Sequence, residues 1–125
     1  MAHKKSKNHT SNLVEALKKL PFPIYDEKHH LTVYLDDDRA RSNQSRFEHI
    51  TKEHHQLSVK DIESIPKLIV SSSWLKKDKI RKETFNYYLP RPGFNGHFIK
   101  VSVRISQEEP HIAKIKTIFT TSRIK

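Results

Sequence analysis

The hydrophobic rhythm of the chain changes near residue 73. Before that point apolar residues recur at helical spacing, and after it they alternate with polar ones. Leu13, Val14, Leu17 and Leu20 line one face of a short helix that Ser11 or Asn12 caps and "PFP" at 21–23 stops. "HLTVYL" (30–35) is rich in β-branched and aromatic residues and predicts a strand, followed by the polar loop "DDDRARSN". Ser45 with Glu48 forms a capping box for a second helix, in which Phe47, Ile50, His54 and Leu57 fall within about 80° of one another. Ser58 with Asp61 is another N-terminal signal. "VKDIESIPKLIV" follows it as a helix with Ile62, Ile65, Leu68 and Ile69 inward, kinked or shortened at Pro66.

After "SSS" the period is two. Trp74–Lys77, Lys82–Leu89, His97–Ile105 and Ile112–Thr121 are the predicted strands, with turns at "FNG" (94–96) and "SQEEPH" (106–111). In the third, Ile99, Val101, Val103 and Ile105 point one way, and Lys100, Ser102 and Arg104 point the other. One sheet face is then core and the opposite face polar and cationic. The expected fold class is α+β: N-terminal helices packed on a four-stranded antiparallel meander. Residues 1–10 are expected to be a flexible basic tail and 11–125 a single domain.

The chain carries 24 Lys+Arg against 14 Asp+Glu, a net charge of +10 with histidines neutral. Residues 76–82 ("KKDKIRK") hold five cations and one acid. A basic face on a small domain favours a polyanion such as nucleic acid; the plain alternative is a solvated surface. Cysteine is absent, which removes disulfides, thiolate catalysis and Cys-based zinc sites. Only two glycines occur, so a glycine-rich phosphate loop is excluded. No apolar run approaches the roughly 20 residues of a membrane span, and no apolar segment follows the basic start as in a secretory signal. A cytoplasmic location, in a bacterium or a phage-infected host cell, is expected.

"RFEHITKEHHQL" (46–57) is the densest acid–base stretch, with His49, His54 and His55. His49 and His54 lie about 140° apart on a helix, unlike the i, i+4 pair a helical zinc site needs, so no metal and no cofactor is expected. Two readings stay open for these histidines. They are ordinary helix residues, or they serve a metal-free ribonuclease. Such an enzyme needs a base for the ribose 2′-hydroxyl, an acid for the leaving oxygen and cations for the phosphate.

Four stretches together resemble the barnase–EndoU–colicin E/D–RelE superfamily of small nucleases, most closely its phage-associated branch. "FEHITKEHHQLSVKDIESIPKLI" (47–69) is similar to the family's histidine-bearing helix and the proline-containing helix after it. "NYYLPRPGFNGHFIKVSVRI" (86–105) is similar to its hairpin with a Tyr on one strand and a basic position on the next. "IKTIFTTSRIK" (115–125) resembles its terminal strand, with Phe119-Thr120 where the family has Tyr-Pro, and "LTVYL" (31–35) its leading strand. The resemblance implies a toxin-like endoribonuclease that cleaves RNA without metal to a 2′,3′-cyclic phosphate. It nominates His49 and His54, with His55 as the alternative in the doublet, then Lys100 or Arg104, and Thr117 with Thr120. Tyr87 or Tyr88 is expected to stack a base or donate to phosphate, and Lys76, Lys77, Arg81, Lys82 and Lys116 to contact RNA. An acidic antitoxin or immunity protein is an expected partner. The rival readings are a non-catalytic RNA- or DNA-binding domain and a protein-interaction module.

Overall fold

The structure is a computed structural model that describes residues 12–35, 57–71 and 73–122. The segments expected as the basic tail, the polar loop and most of the histidine-bearing helix lie outside the described residues.

Helix α1 (residues 12–18) buries Leu13, Val14, Ala16 and Leu17 on one face. Its last turn closes through the Lys19 and Leu20 N–H groups, which donate to Ala16 and Leu17 carbonyls. Pro21 and Pro23 then prevent continuation. Strand β1 (Ile24–Asp26) turns back through His30, at φ 56°, into β2 (Leu31–Leu35). Helix α2 (Val59–Ser71) begins with the capping box the sequence specifies. The Ser58 N–H donates to Asp61 Oδ2 at 2.9 Å, and the Asp61 N–H donates to Ser58 Oγ at 3.2 Å. Pro66 does not end this helix, which continues to Ser71. Ile62, Ile65 and Ile69, each at 0 % exposure, hold it on the sheet, at about 1.5–3 kcal/mol per buried side chain.

Strands β3 (Trp74–Lys77), β4 (Thr84–Pro90), β5 (Phe98–Arg104) and β6 (Ile112–Thr121) form the expected antiparallel meander. The four-stranded expectation is nonetheless corrected. The sheet has six strands in the order β1-β2-β6-β5-β4-β3. The edge of β6 is occupied by β2, in parallel, and β1 pairs beyond β2. Two strands therefore precede α2, so the helices are not gathered at the N-terminus. β1 has only three residues straight after two prolines, too short to show an alternation. Strand β4 also begins two residues later than expected. The Asp78 carboxylate accepts the Ile80 and Arg81 N–H groups, and Glu83 sits at φ 57°, so residues 78–83 form the turn.

The sheet curls. Tyr87 of β4 reaches Asp26 of β1, four places along the strand order, across the concave side. α1 and α2 pack against that concave side, and the core lies between them and Val33, Leu89, Ile99, Val101, Ile115 and Ile118. The Arg91 guanidinium closes the core at one end on the buried Asp61 carboxylate, with Nη2 2.9 Å from Oδ2.

Candidate nucleic-acid interface

Directly paired residues of neighbouring strands send their side chains to the same face. Ile99, Val101 and Val103 face the core. Their neighbours Phe98, Lys100, Ser102 and Arg104 therefore face outward. Register extends this convex face across the sheet. Tyr88 stands opposite Lys100 on one side and Trp74 on the other, and Lys76 stands opposite Asn86. On β6, Phe119 pairs with Lys100, Thr117 with Ser102, and Lys114 with Arg104.

The arrangement alternates rings and cations. The Lys100 ammonium lies 5.0 Å from the Phe119 ring centroid and 5.8 Å from that of Tyr88. Phe98 meets Trp74 and Tyr88 edge to face, at 5.9 and 6.4 Å between centroids. Trp74 is 52 % exposed, Lys76 and Arg104 are exposed, and Tyr25 and Tyr34 extend the aromatic surface onto β1 and β2.

A polar chain crosses the same face. Ser102 Oγ donates to Asn86 Oδ1 at 2.7 Å, and Asn86 Nδ2 donates to Asp78 Oδ1 at 3.1 Å. The Arg81 N–H, then Asn86 and the Ile80 N–H, hold the Asp78 carboxyl down at a pKa of about 2, with a smaller contribution from the Lys100 charge. A groove of about 210 Å³ lies beside this chain, walled by Lys77, Asp78, Lys79, Asn86, Tyr88 and Lys100.

Lys100 and Arg104 share one face, as the alternation indicated, and the strand register adds Lys76 and Thr117 to it. Arg81 and Lys82 lie exposed on the adjoining β3–β4 turn. Lys116 is the extra residue of a β-bulge, because Thr117 pairs with Ser102 and Ile115 with Val103. Thr120 does not join Thr117. It stands opposite core-facing Ile99, on the other side of the sheet, because the two threonines are an odd number of residues apart. Tyr87 is corrected as a base-stacking residue. Its ring is buried at 0 % exposure and its hydroxyl donates to Asp26 Oδ2 at 2.5 Å. Burial, then that carboxylate, raises its phenol pKa well above the usual value. Tyr88 is also buried, at 1 %, so its ring supports Lys100 and Phe98 and offers no open stacking surface. His49, His54 and His55 lie outside the described residues.

Trp74, Phe98 and Phe119 went unassigned in the sequence, although each shares the parity of a flagged cation or threonine. The same holds for a second polar cluster, on the concave side. Asp26, at 0 % exposure, accepts the Tyr87 hydroxyl and lies 2.6 Å from His29 Nδ1. Its only trace in the sequence is Asp and His three apart in a turn, a weak signal.

Among the described residues no group of three or more His, Cys, Asp or Glu is placed to hold a metal ion. Nor is any helix among them long and apolar enough to cross a membrane. No family model, no curated protein and no solved structure matches the chain.

Proposed function

We propose that the protein binds single-stranded RNA across the convex face of its sheet. The observation that carries this reading is the position of the Lys100 ammonium between the Phe119 and Tyr88 rings, flanked by exposed Trp74, Lys76 and Arg104. Cations that follow a phosphate backbone beside a ring open to bases are what a single strand requires, and Trp74 is the open ring here. The cations on this face and on the adjoining β3–β4 turn would then have a use, since phosphate contacts release counterions.

The finer reading is a metal-independent endoribonuclease, in which bound RNA is cut to a 2′,3′-cyclic phosphate and a 5′-hydroxyl. The grouping of Lys100, Arg104 and Thr117 on one face favours it, because a scissile phosphate needs cations and a hydroxyl donor together. Acid–base chemistry in this reading falls to His49 and His54. An acidic protein that covers the cationic face is the partner such an enzyme would need.

Both readings are tested by mixing the pure protein with labelled RNA in EDTA, measuring retention on filters and fragment patterns in parallel. Salt-sensitive retention supports the binding reading. Discrete fragments that end in cyclic phosphate and disappear in His49→Ala or His54→Ala support the nuclease. RNA that is neither retained nor cut overturns both.

A further inference from the structure

The concave side holds a second candidate centre. The sheet curls so that the start of β2, the ends of β3 and β5 and the β5–β6 turn surround a cavity of about 380 Å³. That is within the range of roughly 300–1,000 Å³ typical of small-molecule and substrate sites. Its walls are mostly apolar, from Leu31, Phe85 and Ile105, with His29, Lys77 and Glu83 as its ionisable groups.

His29 is held as an acid–base group is held. Its Nδ1–H donates to Asp26 Oδ2 at 2.6 Å, and Asp26 is itself fully buried and anchored by the Tyr87 hydroxyl and by the His29 N–H at 3.4 Å. Tyr87 also meets the imidazole edge to face, at 5.9 Å between centroids. A buried carboxylate on Nδ1 fixes the tautomer with its lone pair on Nε2 and stabilises the imidazolium once a proton is taken. Among the described residues Nε2 has no hydrogen-bond partner, and the side chain, 27 % exposed, forms part of the cavity wall.

The cavity and the groove beside Lys100 share a wall at the β3 edge. Lys77 lines both this cavity and the groove beside Lys100. Glu83 lines the cavity while its Oε1 pairs with Arg104 Nη2 at 3.3 Å.

We infer that His29 is a catalytic acid–base residue acting on RNA led round the β3 edge into this cavity, with Asp26 as its positioning residue. The inference rests on the RNA-binding reading and places the acid–base chemistry on His29 instead of on His49 and His54, with the convex face holding the strand that leads to the cavity. His29 Nε2 takes the proton of a ribose 2′-hydroxyl as that oxygen bonds to the adjacent phosphorus. The bond from phosphorus to the 5′-oxygen breaks, and the departing oxygen takes a proton from water at the open cavity mouth. The hydroxide so formed is neutralised by the imidazolium proton, which restores His29. The products are a 2′,3′-cyclic phosphate and a 5′-hydroxyl, with no net proton change. The Lys77 ammonium stands against the phosphate charge.

The test compares wild type, His29→Ala, His29→Gln and Asp26→Asn, with His49→Ala and His54→Ala alongside. Single-turnover cleavage of an end-labelled RNA oligonucleotide in EDTA is read beside its binding by fluorescence anisotropy. Both His29 variants should cut about a hundredfold more slowly or worse, with binding within threefold of wild type. Added imidazole should restore part of the His29→Ala rate, which a structural role would not produce. Asp26→Asn should lower the single-turnover rate while RNA binding stays within threefold of wild type, because the imidazole loses the carboxylate that orients it. Wild-type protein that binds RNA and leaves it intact overturns the inference while the binding reading stands. Cleavage unchanged in a folded His29→Gln also overturns it. Wild-type protein that binds no RNA overturns the reading beneath it as well.

Discussion

Lys100 and Phe119 face each other across the β5–β6 ladder, with the ammonium 5.0 Å from the ring centroid. The contact is worth about 0.5–1 kcal/mol at an exposed site, too little to explain a cation there by stability alone. It does fix where the charge sits on a face whose neighbours are rings and further cations.

Lys100→Ala should therefore weaken RNA binding with little change in stability. The slope of log K against log salt should become shallower by about 1, as expected for the loss of one phosphate contact. Anisotropy titrations at several salt concentrations measure it.

Trp74→Ala should remove a stacking surface. The expected loss is about 1–3 kcal/mol of binding free energy, with little dependence on base sequence. Trp74 is 52 % exposed, so the urea midpoint should move much less than the affinity.

Arg91→Ala tests the fold. Asp61 is 2 % exposed and Arg91 shields it from water, so the variant leaves a buried carboxylate without its counter-ion. The expected cost is about 3–5 kcal/mol by urea denaturation. Because Asp61 also caps α2, helical circular dichroism should fall in the same transition.

The Asp78 carboxyl gives a pH dependence of definite sign. Its folded pKa of about 2 is below the roughly 3.9 of an unfolded aspartate, so ionisation favours the fold. The contribution is complete above the unfolded value and fades as pH falls toward 2. The difference in melting temperature between wild type and Asp78→Ala should thus be largest near neutrality and shrink below pH 4.

Much of the meander was legible because alternation reports burial directly. Lys100, Ser102 and Arg104 share parity opposite Ile99, Val101 and Val103, and the structure keeps that division of faces, although Ser102 is itself buried under its bond to Asn86. The Ser58–Asp61 cap was legible for a similar reason, since its partners are three residues apart. What escaped notice was set by long-range pairing. β1 is three residues of strand that exist because β2 lies beside them, and the parallel β2–β6 pair joins segments about eighty residues apart. Tyr87 looked like a surface aromatic, but the curl of the sheet carries it over Asp26. Thr117 and Thr120 differ from these cases: they stand an odd number of residues apart, so local alternation alone separates them onto opposite faces.

The chain has one tryptophan, and it stands on the proposed binding face. Titrating single-stranded RNA into the full chain while following Trp74 emission tests the central claim most directly. Stacking predicts saturable quenching that added salt reverses and that Lys100→Glu weakens. Emission that stays constant while anisotropy reports bound RNA would contradict the account, placing the RNA elsewhere on the protein.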